Sequence, residues 1–268
     1  MLEKYREDVI GVTRSYSSWR VQGLPEKNIH VSDLLMEENI ENTLEVIKPK
    51  TVFNCIAYGA YSFEMDYDLI HQTNFNITVK LLEQLRQRGV ERYIHAGTSS
   101  EYGDQASAPT ESAMLTPNSH YAVSKTAVSG LIYYFGKTHG FPCANLRLYS
   151  VYGPLEDSSR LIPAVVSKGL KKEYPPFVDS NISRDFIFVE DACEAFVKAA
   201  VNLKEENYGD SFNIGTGVGT TIAQIADMAK DFFEIESSPQ FSSMPNRAWD
   251  IKAWYANPQK ANKFLDWQ

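Results

Sequence analysis

Short apolar runs rich in β-branched residues recur along this chain at Asp8–Thr13 (DVIGVT), Thr51–Ala57 (TVFNCIA), Arg92–Ala96 (RYIHA) and Ala144–Tyr149 (ANLRLY). Runs of this kind suit strands buried on both faces. Helix-length segments lie between them. The clearest is Asp68–Arg88, where Leu69, Ile70, Thr73, Ile77, Leu81, Leu82 and Leu85 recur at helical spacing and Gly89 stands as a stop. A second helix is predicted from about Ser119 to His139, ending at Gly140. Strands and helices that alternate at this length predict an α/β fold, a doubly wound parallel sheet with right-handed crossovers. From Gly153 onward Pro154, Pro163, Pro175 and Pro176 break the rhythm, with helices at about Ile162–Leu170, Glu190–Val201 and Ile222–Phe233. The expected division is therefore a first domain over 1–152 and, over 153–268, a smaller α+β substrate lobe that also returns some segments to the sheet. Small ligands bind such folds at the carboxyl ends of the strands.

Composition narrows the possible functions. Of 268 residues 43% are hydrophobic and 22% charged, which is ordinary for a globular chain, and the formal net charge of −8 leaves no general basic surface for nucleic acid. An anionic ligand must then be held by a few placed arginines. Cys55, Cys143 and Cys193 are far apart in apolar surroundings and read as buried reduced thiols. The five histidines, His30, His71, His95, His120 and His139, show no metal-ligand spacing, so no catalytic metal is expected. The opening residues MLEKYREDV are charged and no apolar run approaches the ~18 residues of a membrane span, which makes the cytoplasm the expected compartment and a membrane an unexpected partner.

The strongest chemical signal is Tyr121-Ala-Val-Ser-Lys125, because four residues along a helix bring both side chains to one face. An ammonium near a phenol favours the phenolate and prepares it to exchange a proton with a substrate hydroxyl. The plain alternative is a surface Tyr and Lys on an amphipathic helix. About twenty residues upstream, directly after the run Arg92–Ala96, comes the hydroxyl-rich turn Gly97-Thr98-Ser99-Ser100-Glu101-Tyr102-Gly103. It is either a simple polar turn or, chiefly through Thr98, a hydrogen-bond donor to the substrate oxygen that Tyr121 serves.

Taken in order, TSSEYG, PNSHYAVSK, LRLYSVYGP, RLIP, RDFIFVEDACEAF and FNIGTG resemble the extended short-chain dehydrogenase/reductase family of nucleotide-sugar epimerases and dehydratases, through nearly the whole chain. The resemblance implies a Rossmann-like first domain binding NAD or NADP, a nucleotide-diphosphate sugar as substrate, and hydride transfer between nicotinamide and a sugar carbon. It implies Thr98, Tyr121 and Lys125 as the catalytic set. It further implies that Asp33 contacts adenine, that Ala57 lies beside the cofactor and that Asn74 supports the cofactor side of the site. Ser99 and Ser100 fall on the substrate side, and Arg184 and Arg247 would clamp the diphosphate, a task suited to a planar guanidinium; the alternative for these two is a surface salt bridge with Asp185 or Asp250. Arg14, after the second strand of the family pattern, leans toward NADP. A homodimer through the helices Asp68–Arg88 and Ser119–His139 is implied as well.

The chain also departs from the pattern. The family's Gly-x-x-Gly-x-x-Gly turn should precede Asp8, where only MLEKYRE stands, and the resemblance stops at Asn257–Trp267. The reading is of a fragment, a truncated gene product or a paralogue that lost a central strand, with weak or absent NAD(P) binding expected because backbone N–H groups at such a turn meet the pyrophosphate. Gly215-Thr-Gly-Val-Gly219 reads as a turn of the second lobe rather than a displaced cofactor loop. Dehydratases of the family place acid directly after the catalytic threonine; here Ser99 and Ser100 stand there and Glu101 comes later. The expected activity is therefore an NDP-hexose epimerase working through a 4-keto intermediate, with a 4-keto-sugar reductase or a dehydratase as the alternatives, and a cofactor-free binding or regulatory relative as the alternative of another class.

Overall fold

The computed structural model describes residues 6–61, 63–244 and 251–268. The chain forms two compact units that exchange residues several times: Met1–Gly97, His120–Leu146 and Phe196–Ser211 make the first, and Thr98–Ser119, Arg147–Ala195 and Phe212–Gln268 the second. The chain passes into the second unit at Thr98, Arg147 and Phe212, so Gly153 lies six residues inside the second of these stretches rather than at a boundary.

The first five strands stand in two sheets. β1 (Gly11–Thr13) pairs with β2 (Ile29–Val31), and β3 (Thr51–Asn54), β4 (Arg92–Thr98), β5 (Cys143–Leu148) and β9 (Ser211–Ile214) form a four-stranded sheet in that order, with β3 and β4 parallel. Two strands are shorter than their apolar runs predict, and an asparagine accounts for each. Asn28 Nδ2 donates to the carbonyls of Glu7 (3.2 Å) and Val9 (2.7 Å), so a side chain takes the place of a partner strand before β1 begins. Asn54 Oδ1 accepts from the N–H of Ile56 at 3.0 Å and turns the chain, which ends β3 three residues before Ala57.

In the first unit α1 (Glu37–Ile47), α3 (Ile77–Gln87) and α4 (His120–His139) close one core. Ile40 and Leu44, Leu81, Leu82 and Leu85, and Val128, Ile132 and Phe135 come from these three helices and meet Tyr93 of β4 and Cys143 of β5. Val52 packs against this core, while its neighbour Phe53, on the opposite face by strand alternation, meets Phe196 of α6 (Val189–Asn202) edge-on at 5.9 Å. Helices therefore lie on both faces of the sheet, the doubly wound arrangement.

The helix predicted over Asp68–Arg88 is three pieces: α2 (Tyr67–His71), a π-helical turn at Gln72–Asn76, and α3. A π turn inserts one residue and rotates the rest of the helix by about a third of a turn. Here it directs Asn74 inward, where it is fully buried.

The second unit holds a three-stranded sheet of β10 (Thr220–Thr221), β7 (Ser183–Arg184) and β11 (Ala253–Trp254), a parallel pair of β6 (Ser150–Tyr152) and β8 (Phe186–Phe188), and the helices α5 (Leu161–Gly169) and α7 (Ile222–Phe233). Its apolar centre comprises Val165, Phe177, Ile182, Ile222, Ala226, Ala229 and Ile235. α7 begins at the residue the sequence predicts, because Thr221 and Gln224 form a reciprocal capping box of 3.1 and 2.8 Å.

Candidate functional site

In the first unit, Tyr121 and Lys125 stand one turn apart at the start of α4. Tyr121 is half-buried, whereas Lys125 is only 2% exposed. The lysine reaches β4, where Nζ donates to the carbonyl of Ala96 at 2.8 Å and faces His95 Nε2 at 3.4 Å. A buried ammonium is tolerable only when its protons find acceptors, and both of these are uncharged. β4 ends two residues after Ala96, at Thr98.

Asn74 anchors the start of α4. Its Oδ1 accepts from the N–H of Tyr58 (2.8 Å), and its Nδ2 donates to the Tyr58 carbonyl (2.9 Å) and to Ser124 Oγ (2.9 Å). Ser124 in turn donates to the carbonyl of Tyr121 at 2.8 Å. One asparagine thus fixes the loop after β3 and the helical turn that carries both Tyr121 and Lys125. Ala57 lies exposed in that same loop; Arg14, just after β1, and Asp33, two residues after β2, are exposed too. Asp33 Oδ1 accepts from the N–H of Leu35 at 3.1 Å.

In the second unit, Thr98 caps a short 3₁₀ segment, Ser99–Gln105. Its Oγ1 accepts from the N–H of Ser100 and donates to Ser100 Oγ, both at 3.2 Å, while its own N–H donates to Glu101 Oε1 at 3.1 Å. Ser99 Oγ accepts from the indole of Trp254 at 2.9 Å. Gly103 follows with φ +52, and a Cβ there would collide with the Thr116 carbonyl, so the turn needs glycine. Glu101 is fully buried and its Oε2 takes Arg147 Nε at 2.8 Å. Arg147 also donates to Tyr102 OH (2.8 Å), which donates to Asn213 Oδ1 (2.7 Å). Burial pushes the Tyr102 phenol up to about 12, with the nearby guanidinium opposing.

Arg184 Nη1 donates to the carbonyls of Ser183 (2.8 Å) and Ile251 (3.0 Å), and its guanidinium lies 5.2 Å from the Trp254 ring centre. Arg247 lies outside the described residues. Asp185 is buried and accepts from the N–H and hydroxyl of Thr216 (2.8 and 2.6 Å), the N–H of Gly217 (2.8 Å) and the N–H of Ala256 (3.0 Å). The glycine-rich turn at Gly215 is therefore closed around a carboxylate of its own chain, with those N–H groups engaged. Sequence reasoning missed His95, Glu101, Arg147 and Asp185. The available signal was a polar residue inside an apolar run, as in RYIHA and LRLY.

The family pattern of the NAD dependent epimerase/dehydratases matches residues 1–215. This chain belongs to that family. Among relatives, it is 27% identical over 242 residues to the UDP-glucose 4-epimerase of Mycolicibacterium smegmatis, covering 87% of this chain and 75% of that one. It is 29% identical over 249 residues to the trifunctional UDP-glucose 4,6-dehydratase/UDP-4-keto-6-deoxy-D-glucose 3,5-epimerase/UDP-4-keto-L-rhamnose-reductase of Arabidopsis thaliana, covering 89% of this chain but only 35% of that protein. The crystal structure of Thermotoga maritima UDP-glucose 4-epimerase with UDP-glucose superposes with a TM-score of 0.88 at 25% identity, covering all of this chain and 87% of that one. The resemblance to nucleotide-sugar epimerases and dehydratases, and the α/β fold it implies, are thus established, and the chain is an NAD-dependent epimerase/dehydratase family enzyme. No helix among the described residues is long and apolar enough to cross a membrane.

Proposed function

We propose that this epimerase/dehydratase family chain interconverts NDP-hexoses at a carbinol carbon through a 4-keto sugar, with Tyr121 as the proton-transfer group. The observation that carries the reading is the half-buried phenol one helical turn from a buried ammonium held by β4. A nearby cation favours the phenolate, so Tyr121 can take the proton of the sugar hydroxyl during oxidation and return it during reduction. In the first unit the resemblance assigns Tyr121 and Lys125 to the nicotinamide end of a dinucleotide, Asp33 to the adenine end, Ala57 between them, and Arg14 to the place where a second phosphate would select NADP over NAD. The chemistry supplied there by NAD is reversible hydride acceptance. The Gly215 turn does not fit a pyrophosphate, since its N–H groups hold Asp185.

For the second unit, taken by itself, the resemblance assigns Thr98 a hydrogen bond to a sugar, Ser99 and Ser100 polar contacts with it, and Arg184 and Arg247 a guanidinium clamp on its diphosphate. The disposition of Glu101 favours epimerisation over dehydration. Removing water from the sugar needs an acid and a base at the substrate, yet this carboxylate is buried against Arg147 and the Thr98 N–H. Incubation of the purified protein, supplied with the strand and glycine turn that the family pattern places before Asp8, with NAD and UDP-glucose separates the readings. UDP-galactose is the expected product; a 4-keto-6-deoxy sugar would establish dehydration, and no conversion of UDP-glucose, dTDP-glucose or their C4 epimers would refute the proposal.

A further inference from the structure

On β4, Tyr93 and His95 point to the same face, and both are fully buried. Behind Lys125 they form an ordered line of polar atoms. Lys125 Nζ faces His95 Nε2 at 3.4 Å, and His95 Nδ1 lies 3.1 Å from Tyr93 OH. Tyr93 OH accepts from Asn54 Nδ2 at 2.8 Å.

We propose that His95, neutral and carrying its proton on Nδ1, is a positioning residue for Lys125, offering its Nε2 lone pair to the ammonium and so orienting the cation without cancelling its charge. The assignment rests on counting donors. An ammonium only donates, so the nitrogen facing it must accept, which leaves the proton on Nδ1 to be given to the Tyr93 oxygen. That oxygen accepts from His95 and from Asn54, which uses both its lone pairs. The other neutral tautomer would set an N–H against an ammonium, and an imidazolium would set a second cation there.

Burial, and then the Lys125 charge, hold His95 well below its ordinary value, in keeping with this placement. The titratable groups around the line are Lys125 from α4, Tyr93 from β4, and Cys55 and Cys143, which bear on Tyr93 from the ends of β3 and β5. None of these competes to protonate Nε2. A carboxylate in place of His95 would hold the ammonium equally well but weaken its field at Tyr121. An aliphatic side chain would remove an acceptor from a buried cation.

The inference rests on the reading of Tyr121 and Lys125 as the catalytic pair, but its first test does not. In long-range ¹H–¹⁵N NMR of histidine-labelled protein, with the His95 signals identified by their loss in His95→Gln, His95 is expected to stay neutral and Nδ1-protonated from pH 5 to pH 9. A proton on Nε2, or titration near the ordinary histidine value, would overturn the proposal. The second test follows the phenolate absorbance of Tyr121 as the difference between parent and Tyr121→Phe, each also carrying His95→Leu or His95→Gln. The Tyr121 midpoint should rise by about one pH unit with His95→Leu, and His95→Gln, whose amide oxygen accepts, should restore it. An unmoved midpoint in His95→Leu would also overturn the proposal. If the parent converts no nucleotide sugar while both results hold, the proposed function fails and the role of His95 stands.

Discussion

Among the described residues two cations, Arg147 and Lys125, are buried, and they are held in opposite ways. Arg147, in the second unit, gives Nε to the Glu101 carboxylate, and the remainder of its fork ties Tyr102 and the Glu111 carbonyl into the same network. Lys125, in the first unit, is held by a carbonyl and an imidazole. A charge paired with a carboxylate spends its field on that partner and serves as a structural bolt. A charge oriented by uncharged acceptors still projects a field, and the group one helical turn away is Tyr121. The difference separates a charge left available to a neighbouring group, in the first unit, from one consumed by its own partner, in the second.

The comparison can be broken by substitution. Lys125→Met should lower turnover of a nucleotide sugar by about 10²–10⁴-fold while leaving the thermal midpoint nearly unchanged, as steady-state rates and calorimetry on the same preparation would show. A large loss of stability instead would make Lys125 a bolt like Arg147. Arg147→Met should do the reverse, costing about 3–5 kcal/mol in denaturant unfolding because it strands the buried Glu101. A smaller effect falls to Asn74→Ala, which leaves the Tyr58 and Ser124 groups without their partner and should cost about 1–3 kcal/mol.

The smallest effect is one of pH. His95 in the fold is held below its ordinary value of 6.5, so as pH falls past 6.5 the unfolded chain takes up a proton that the folded chain refuses. Stability therefore declines on the acid side, by about 1.4 kcal/mol between pH 7.5 and pH 5.5 from this residue. The parent should lose that much more than His95→Gln over the same interval; equal losses would mean that His95 titrates normally in the fold.

The elements whose logic is local could be read from the sequence. The 3.6-residue stripe of the helices, the capping box at Thr221 and the Tyr121/Lys125 spacing are each set by residues within a turn or two. The π turn at Gln72–Asn76 could not be read, because inserting one residue leaves the apolar stripes before and after it intact; only the burial of Asn74 reveals the rotation. β3 likewise reads as apolar through Ala57, and its end is decided by one side-chain acceptor at Asn54. Asp185 in RDF and Glu101 in TSSEYG look like surface carboxylates. Their burial depends on donors at Thr216, Gly217 and Ala256, and at Arg147, distant in sequence, which no local pattern announces.

The most direct measurement compares the parent with Tyr121→Phe, both supplied with the strand and glycine turn that the family pattern places before Asp8, in NAD-dependent conversion of UDP-glucose, with NAD binding followed in parallel. Removing one hydroxyl from a half-buried ring should cut turnover by about 10²–10⁴-fold while leaving NAD affinity nearly the same. Equal turnover in the two proteins would contradict the assignment of proton transfer to Tyr121.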